Sequence, residues 1–163
     1  MAECWNDWVQ RHGAAALLFA RQYTHSSADA QDAVQEGFIR FWRQRQRARD
    51  PIALLFASVR SAALDLHRRR RRRELRERKA VEERPMLVSP ETDMGARREA
   101  VEQALRKLPS EQREVVVLKI WAGLTLSQIA AALSESANTV ASRYRYGLEK
   151  LAALLPPEVW HER

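Results

Sequence analysis

The stretch that decides the fold is Thr125–Leu155, which reads TLSQIAAALSESANTVASRYRYGLEKLAALL. Thr125 is followed three residues later by Gln128, which is the spacing of a capping box that opens a helix. A break at Ser134–Ser136 separates this short helix from a longer one, which runs until Pro156 stops it. A short helix, a tight turn and a longer helix are the parts of a helix-turn-helix, and that is the motif predicted here.

The polar face of the second helix decides what such a motif can do. In a helix-turn-helix the N-terminal part of the second helix enters the major groove, where Asn and Arg bind base edges and Ser and Thr bind phosphates. The polar side chains that this helix is predicted to turn outward are Asn138, Thr139, Ser142, Arg143 and Arg145. An ordinary helical hairpin with a polar outer face fits the same spacing, so the motif alone leaves both interpretations open.

Apolar residues recur with helical spacing through the rest of the chain as well. A first helix is predicted at about residues 6–22, and Ser26 and Ser27 offer N-caps for a second one. Asp50 and Pro51 form an N-cap and first-turn pair for a third helix, which continues into the run Arg68–Arg73. Two more helices, at about 98–108 and 110–121, precede the helix-turn-helix.

Between these helical regions the periodicity is lost. Residues 74–97 mix charges, include two prolines and show no sustained apolar period, which is typical of a linker. We therefore predict an all-α protein with two small helical domains joined by a flexible linker. The predicted boundaries are 1–73 for the first domain, 74–97 for the linker, 98–155 for the second domain and 156–163 for a short tail.

The positive charge lies almost wholly in the first half. The 163 residues carry a net charge of +7, and residues 1–73 hold 14 basic against 7 acidic side chains. Six consecutive arginines, Arg68–Arg73, produce a concentrated field that attracts polyanions, because binding to nucleic acid releases condensed counterions. The alternative for this run is a solvated helix end without a partner.

Several classes of protein are excluded by what the sequence lacks. The lone Cys4 has no partner for a disulfide, and the four histidines have no carboxylate or cysteine at metal-ligand spacing. No phosphate-binding glycine loop or nucleophile elbow is present, so neither an enzyme nor a cofactor or metal site is predicted. The longest apolar stretches are too short for a membrane span, and we expect a protein of the reducing cytoplasm.

Taken together, these segments resemble a bacterial extracytoplasmic-function (ECF) sigma factor of the sigma-70 family. Residues 29–42, DAQDAVQEGFIRFW, are similar to the signature of the family's region 2, around D-x-x-D-x-x-Q-E. Leu108-Pro109, Gly123-Leu124-Thr125 and the segment 138–143, NTVASR, are similar to region 4. Both sets occur in this order on one chain with a linker between them, so the resemblance covers nearly the whole sequence.

The resemblance implies a function for each half. Region 2 would bind the clamp helices of the RNA polymerase β′ subunit and recognise and melt the −10 element, and region 4 would bind the −35 element and the β flap. The residues that it places on the polymerase are Asp29, Asp32, Gln35, Glu36 and Arg40. The residues that it places on the −10 strand are Arg60, Ser61, Asp65, His67, Arg68, Arg69 and Arg70. The residues that it places on the −35 element are Asn138, Thr139, Ser142, Arg143 and Arg145.

The sequence departs from the family pattern in both halves. Many relatives have Arg and Asn where this chain has Ala57 and Ser61, and Ala141 replaces a common basic residue of the recognition helix. The aromatic residues 38, 41 and 42 are predicted mainly as core, although an aromatic face also suits an unstacked base. The resemblance further implies promoter DNA and an anti-sigma factor as partners. Two rival hypotheses are a dimeric helix-turn-helix regulator that never binds polymerase and a sigma-like decoy that sequesters an anti-sigma factor.

Overall fold

A computed structural model of the chain describes residues 4–77 and 93–157, which are helical and contain no strand. The predicted all-α class is confirmed. A 3-10 turn, Arg45–Arg47, lies between the second and third helices. The helices in these ranges are α1 (Trp5–Ala20), α2 (Ser27–Gln44), α3 (Pro51–Glu77), α4 (Asp93–Arg106), α5 (Ser110–Ile120), α6 (Leu126–Leu133) and α7 (Ala137–Leu154).

Local side-chain caps fix where α2 and α3 begin, as predicted. The Ser26 hydroxyl accepts a hydrogen bond from the Asp29 amide at 3.0 Å. The Asp50 carboxylate accepts one from the Ala53 amide at 3.2 Å, and Pro51 occupies the first helical position. Each cap satisfies one of the amides that the first turn of a helix leaves without an intrahelical partner.

The α2–α3 contact is the main packing of the first half, and a glycine makes it possible. A Cβ atom built on Gly37 would lie 2.6 Å from the Cα atom of Val59, which is closer than two such atoms approach. Phe19, Phe41 and Phe56 are fully buried around this contact. Because no side chain separates the two backbones at residue 37, the facing surfaces of α2 and α3 lie close together.

The second half is built around α5, which is buried on nearly every side. Its four consecutive residues Val115–Leu118 are completely inaccessible to solvent. Gly147 of α7 provides another close approach, because a Cβ atom there would lie 2.8 Å from a methyl carbon of Val116. After α5, Gly123 adopts a left-handed backbone conformation with φ of 68°, and the Leu124 amide donates to the Leu118 carbonyl at 3.1 Å.

The helices on either side of the predicted linker are longer than the sequence pattern indicated. We predicted a linker over 74–97, whereas α3 continues to Glu77 and α4 begins at Asp93. Arg70 forms an i,i+4 ion pair with Glu74 at 2.9 Å, which supports the helix beyond the point where its apolar period ends. The remainder of the predicted linker, 78–92, and the end of the predicted tail lie outside the described residues.

The two halves pack against each other through α1 and α3 on one side and α5 and α6 on the other. Their buried apolar residues form one continuous cluster. Arg21 binds Glu102 at 3.2 Å, and Arg113 donates to the Gln22 carbonyl at 3.3 Å. The described arrangement is therefore a closed one, in which polar contacts flank an apolar interface. This interface of α1 and α3 with α5 and α6 is called the seam below.

Candidate nucleic-acid and polymerase interface

Polar residues of α2 line one wall of a groove between α2 and α3. Asp32, Gln35 and Glu36 are exposed and lie on one face, because residues three and four apart are neighbours on a helix. Asp65 and Arg69 of α3 line the opposite wall. The predicted polymerase-facing residues, apart from Asp29, thus share this groove with two of the predicted −10 residues.

Arg40 bridges the two walls of the groove. Its guanidinium donates to the Glu36 carboxylate at 2.8 Å, to the Ser61 hydroxyl at 3.3 Å and to the Asp65 carboxylate at 3.0 Å. The bonds to Glu36 and then Asp65 raise the pKa of Arg40, so this cation stays charged. Arg40 was predicted on the polymerase surface, and its contacts join that surface to Ser61 and Asp65 of the predicted −10 set.

A second ion-pair network joins the beginning of α2 to the arginine run. Arg70 binds the Asp29 carboxylate at 3.1 Å as well as that of Glu74. Asp29 is therefore separated from the groove and faces a cation of the predicted −10 surface. Arg68 lies 3.7 Å from Asp65. These pairs are partly exposed, so they orient the side chains more than they stabilise the fold.

The remaining arginines of the run present a basic surface on the last turns of α3. Arg69, Arg71, Arg72 and Arg73 are exposed, as a phosphate-binding surface requires. His67 is half-buried and stacks on His25, with ring centroids 5.2 Å apart. Its ring thus packs on the segment that precedes α2 and is not turned freely to solvent.

Arg60 lies at the seam between the two halves, away from the exposed run. Its guanidinium is 3.4 Å from the Glu114 carboxylate of α5 and stands 5.9 Å from the centre of the Tyr23 ring. Burial raises the pKa of the Tyr23 hydroxyl, with a further contribution from the Glu114 charge. Closure of the two halves therefore occupies Arg60, one of the predicted −10 residues.

The predicted helix-turn-helix is present in detail. Thr125 and Gln128 form both hydrogen bonds of a capping box, at 3.1 and 2.9 Å. Ser134 ends α6 in a left-handed conformation with φ of 56°, and Ser136 caps α7 by accepting from the Thr139 amide at 3.1 Å. Ser134 thus adopts, without being glycine, a backbone conformation that glycine favours.

The outward face of α7 carries three of the five predicted −35 residues. Asn138, Ser142 and Arg145 are exposed and follow one another at intervals of four and three residues. Thr139 is half-buried and its hydroxyl lies 2.8 Å from that of Ser136, within the cap. Arg143 is also half-buried and donates to the Glu135 carboxylate at 3.0 Å.

Three residues that matter to these surfaces were not among the predicted sites. Glu114 is buried to 6% exposure at the seam, and its partner Arg60 is 54 residues away in sequence, so no local pattern indicates the pairing. Glu135 sits in the turn beside Arg143. Tyr146 is 48% exposed beneath the Arg145 guanidinium, and its position four residues after Ser142 was the available signal.

The aromatic residues at the end of α2 are mainly core, as predicted. Phe38 and Phe41 are at most 2% exposed, so neither can stack on a base in this arrangement. Trp42 is half-buried and lies under the Arg45 guanidinium, 3.3 Å from the ring centre. Among the side chains that the structure describes, in residues 4–77 and 99–157, no three His, Cys, Asp or Glu are grouped as metal ligands.

Two parts of the chain match known protein families. Residues 8–73 match Sigma-70 region 2, and residues 98–151 match Sigma-70, region 4. The chain is 32% identical over 156 residues to the RNA polymerase sigma factor NccH of Alcaligenes xylosoxydans xylosoxydans, covering 90% of this chain and 84% of that one. The chain belongs to the sigma-70 family. It is a sigma factor of the ECF type, which binds core RNA polymerase and directs initiation at promoters.

Other relatives of this sigma factor agree in sequence and in fold. The ECF RNA polymerase sigma factor SigL of Mycobacterium tuberculosis is 30% identical over 149 residues, which are 88% of this chain and 84% of that one. Among solved structures, CnrH in complex with the cytosolic domain of CnrY superposes with a TM-score of 0.62 at 30% identity, covering 92% and 86% of the two chains. RpoE with the anti-sigma factor NepR from Bartonella quintana superposes with a TM-score of 0.69 at 23% identity, covering 97% and 99%, and supports the fold.

Of the helices that the structure describes, none combines the length and the apolar character that crossing a bilayer demands.

Proposed function

We propose that three helices of this sigma factor each bind a different target. The α2 face binds core polymerase through Asp32, Gln35, Glu36 and Arg40, with Asp29 at its edge. The α3 surface holds the −10 strand through Ser61, Asp65 and the arginines 68–70, with His67 beside them and Arg60 joining when the seam opens. The outward face of α7 binds the −35 element through Asn138, Ser142 and Arg145, and Thr139 and Arg143 support it.

The observation that carries this assignment is the shared groove between α2 and α3. Exposed carboxylates of α2 line one wall, and Asp65 and Arg69 of α3 line the other. The Arg40 guanidinium donates hydrogen bonds to Glu36 on the first wall and to Asp65 on the second. An acidic surface would repel the DNA backbone, so it suits a protein partner, whereas the arginine surface attracts phosphates. The groove thus provides adjacent surfaces for polymerase and for promoter DNA.

The closed arrangement is not the one that reads a promoter. Elements centred at −10 and −35 are about 25 base pairs apart, or roughly 85 Å along B-DNA at about 3.4 Å per base pair. A compact chain of 163 residues has a radius of gyration of only about 15 Å. We infer that the two halves separate when the sigma factor engages polymerase and both elements, and that Arg60 is released from Glu114 at that step.

A partner that recognises the closed arrangement would keep the sigma factor inactive. Two of the structures that resemble this chain are sigma factors bound to NepR or to the cytosolic domain of CnrY. We propose an anti-sigma factor as a partner here too, acting in the cytoplasm on a protein that has no catalytic chemistry or cofactor of its own.

Run-off transcription with purified core RNA polymerase tests the proposal. Genomic fragments of the source organism should give discrete new transcripts only when the protein is added. Reversal of Asp32 and Glu36 to Lys should abolish holoenzyme formation while the helical circular-dichroism signal is retained. If the protein binds duplex DNA but not polymerase, the assignment of α2 is overturned in favour of a helix-turn-helix regulator.

A further inference from the structure

Arg143 does not share the outward face of α7. With 3.6 residues per turn, successive residues are about 100° apart around the helix, so Arg143 lies about 60° from Val140 and about 100° from Ser142. Val140 is fully buried and Ser142 is exposed. The side chain of Arg143 therefore begins at the edge of the packed face, and only a quarter of it is exposed.

The contact of Arg143 is with the turn that precedes α7. Its Nη1 atom donates to the Glu135 Oε1 atom at 3.0 Å across eight residues of sequence. The Glu135 amide in turn donates to the Ala130 carbonyl of α6 at 3.0 Å, next to the left-handed Ser134. Glu135 is thus tied to α6 by its backbone and to α7 by its side chain.

The charge of Arg143 also acts on a second carboxylate. The pKa of Glu111, in the first turn of α5, is lowered by a hydrogen bond to its own backbone, by the Ser110 hydroxyl and also by the charge of Arg143. Arg143 is therefore near acidic groups of both the turn and α5. Extending it into a DNA groove would give up the bond to Glu135 and leave that carboxylate beside the phosphates.

We propose that Arg143 is a positioning residue, which through its ion pair with Glu135 fixes the angle at which α7 leaves the turn. Selection among bases then falls to the exposed Asn138, Ser142 and Arg145. This inference rests on the proposed function of α7 as the reader of the −35 element. It changes the role expected from the resemblance, because Arg143 supports the reading surface without contacting a base.

The test is selection from a duplex pool randomised across the −35 region, using the full chain with core polymerase. Partly exposed ion pairs contribute little, so Arg143→Ala and Glu135→Ala should each weaken binding by at most about five-fold, equally on all sequences. Both should keep the preferred sequence of the wild type. Arg145→Ala should instead lose about 5–150-fold on the preferred sequence and lose its preference at one or two positions.

Exchanging the charges of Glu135 and Arg143 distinguishes a positioning role of Arg143 from direct contact with a base. Combining Glu135→Arg with Arg143→Glu should restore the wild-type preference and affinity, since the ion pair is re-formed in reverse. A base-reading arginine could not be rescued this way. The exposed Arg106 of α4 is the matched control, and Arg106→Ala should leave affinity and preference unchanged. A preference altered by Arg143→Ala but not by Glu135→Ala would overturn the inference.

Urea unfolding of the same variants tests the ion pair without DNA. If Arg143 acts through Glu135, the double variant Glu135→Ala with Arg143→Ala should be no less stable than the worse single variant. Strictly additive losses would overturn the ion pair as the link. A wild type that selects no sequence would overturn the proposed reading function of α7, and the unfolding cycle would still decide the positioning role of Arg143.

Discussion

The Arg60 guanidinium in α3 lies 3.4 Å from the Glu114 carboxylate in α5, and this pair joins the two regions of the sigma factor across their seam. Glu114 is almost completely buried, whereas about a third of the Arg60 side chain is exposed. Removing one partner of such an ion pair is destabilising, because the other charge is left poorly solvated. It is also specific to the closed arrangement, since separation of the halves breaks it.

We expect Glu114→Gln to shift the free protein toward an open arrangement. The substitution keeps the shape of the side chain but removes the charge that faces Arg60, and it should weaken closure by about 1–3 kcal/mol. Small-angle scattering should then give a radius of gyration above the value of about 15 Å expected for the closed chain. Glu99→Gln, at an exposed residue of α4, is the control. Equal radii for the two variants would contradict a role for Glu114 in closure.

A second prediction concerns Gly37, which follows the Gln35-Glu36 pair in the region 2 signature. Gly37→Ala should destabilise the fold by about 1–3 kcal/mol, because the new methyl would lie 2.6 Å from the Val59 backbone and overpack the contact of α2 with α3. Gly13→Ala is a matched control in α1, where the nearest atom is 3.9 Å away. It should gain up to about 1 kcal/mol from helix propensity. Urea unfolding followed by circular dichroism measures both, and equal effects would argue against the close approach.

The sequence predicts those features that depend on neighbours within one helical turn. The caps at Ser26 and Asp50 and the capping box at Thr125 follow from residue types at spacings of three, and all are present. The end of α3 was misplaced by four residues, because residues 70–77 are all Arg, Glu or Leu, which favour a helix even where the apolar period stops.

Contacts between distant segments could not be predicted in the same way. Arg60 and Glu114 look like ordinary surface charges until the two halves pack, and nothing in either local sequence specifies the other. Arg143 was predicted on the −35 element because its type and its place in the motif suit that surface. In the structure its side chain contacts Glu135, next to the left-handed Ser134, a contact that residue spacing alone does not reveal.

Alkaline pH should weaken the seam through Tyr23. Its pKa is raised in the folded protein by burial, so the folded state favours the neutral phenol and binds its proton more tightly than the unfolded chain does. The stabilisation is fully present below the unfolded pKa, about 10, and is lost as pH rises above it. Tyr23→Phe should therefore lose less stability than the wild type between about pH 9 and 11, measured by urea unfolding at each pH.

Tyr146→Phe provides the comparison for Tyr23, because Tyr146 is 48% exposed. This variant should lose stability with pH in parallel with the wild type, since both retain Tyr23. A pH dependence of Tyr23→Phe that matches that of Tyr146→Phe would mean that the Tyr23 hydroxyl is solvated in the folded protein.

The last prediction concerns exposed arginines of α3 that the ion-pair networks described above do not include. Arg68 and Arg70 approach carboxylates, whereas Arg69 and Arg72 are exposed and lie one turn apart on the same side of the helix. Replacing both with Ala should weaken promoter binding by the holoenzyme. Each lost phosphate contact should also reduce the slope of log affinity against log salt by about 0.7–0.9, so the pair should reduce it by about 1.4–1.8.

Salt titrations of promoter affinity at saturating core polymerase measure this slope. Arg47→Ala with Arg49→Ala removes the same charge from the exposed segment between α2 and α3, and it should leave the slope nearly unchanged. Equal reductions for the two double variants would mean that the slope reports net charge alone. A reduction confined to Arg69 and Arg72 would place phosphates against the end of α3, because only groups that displace condensed counterions change the slope.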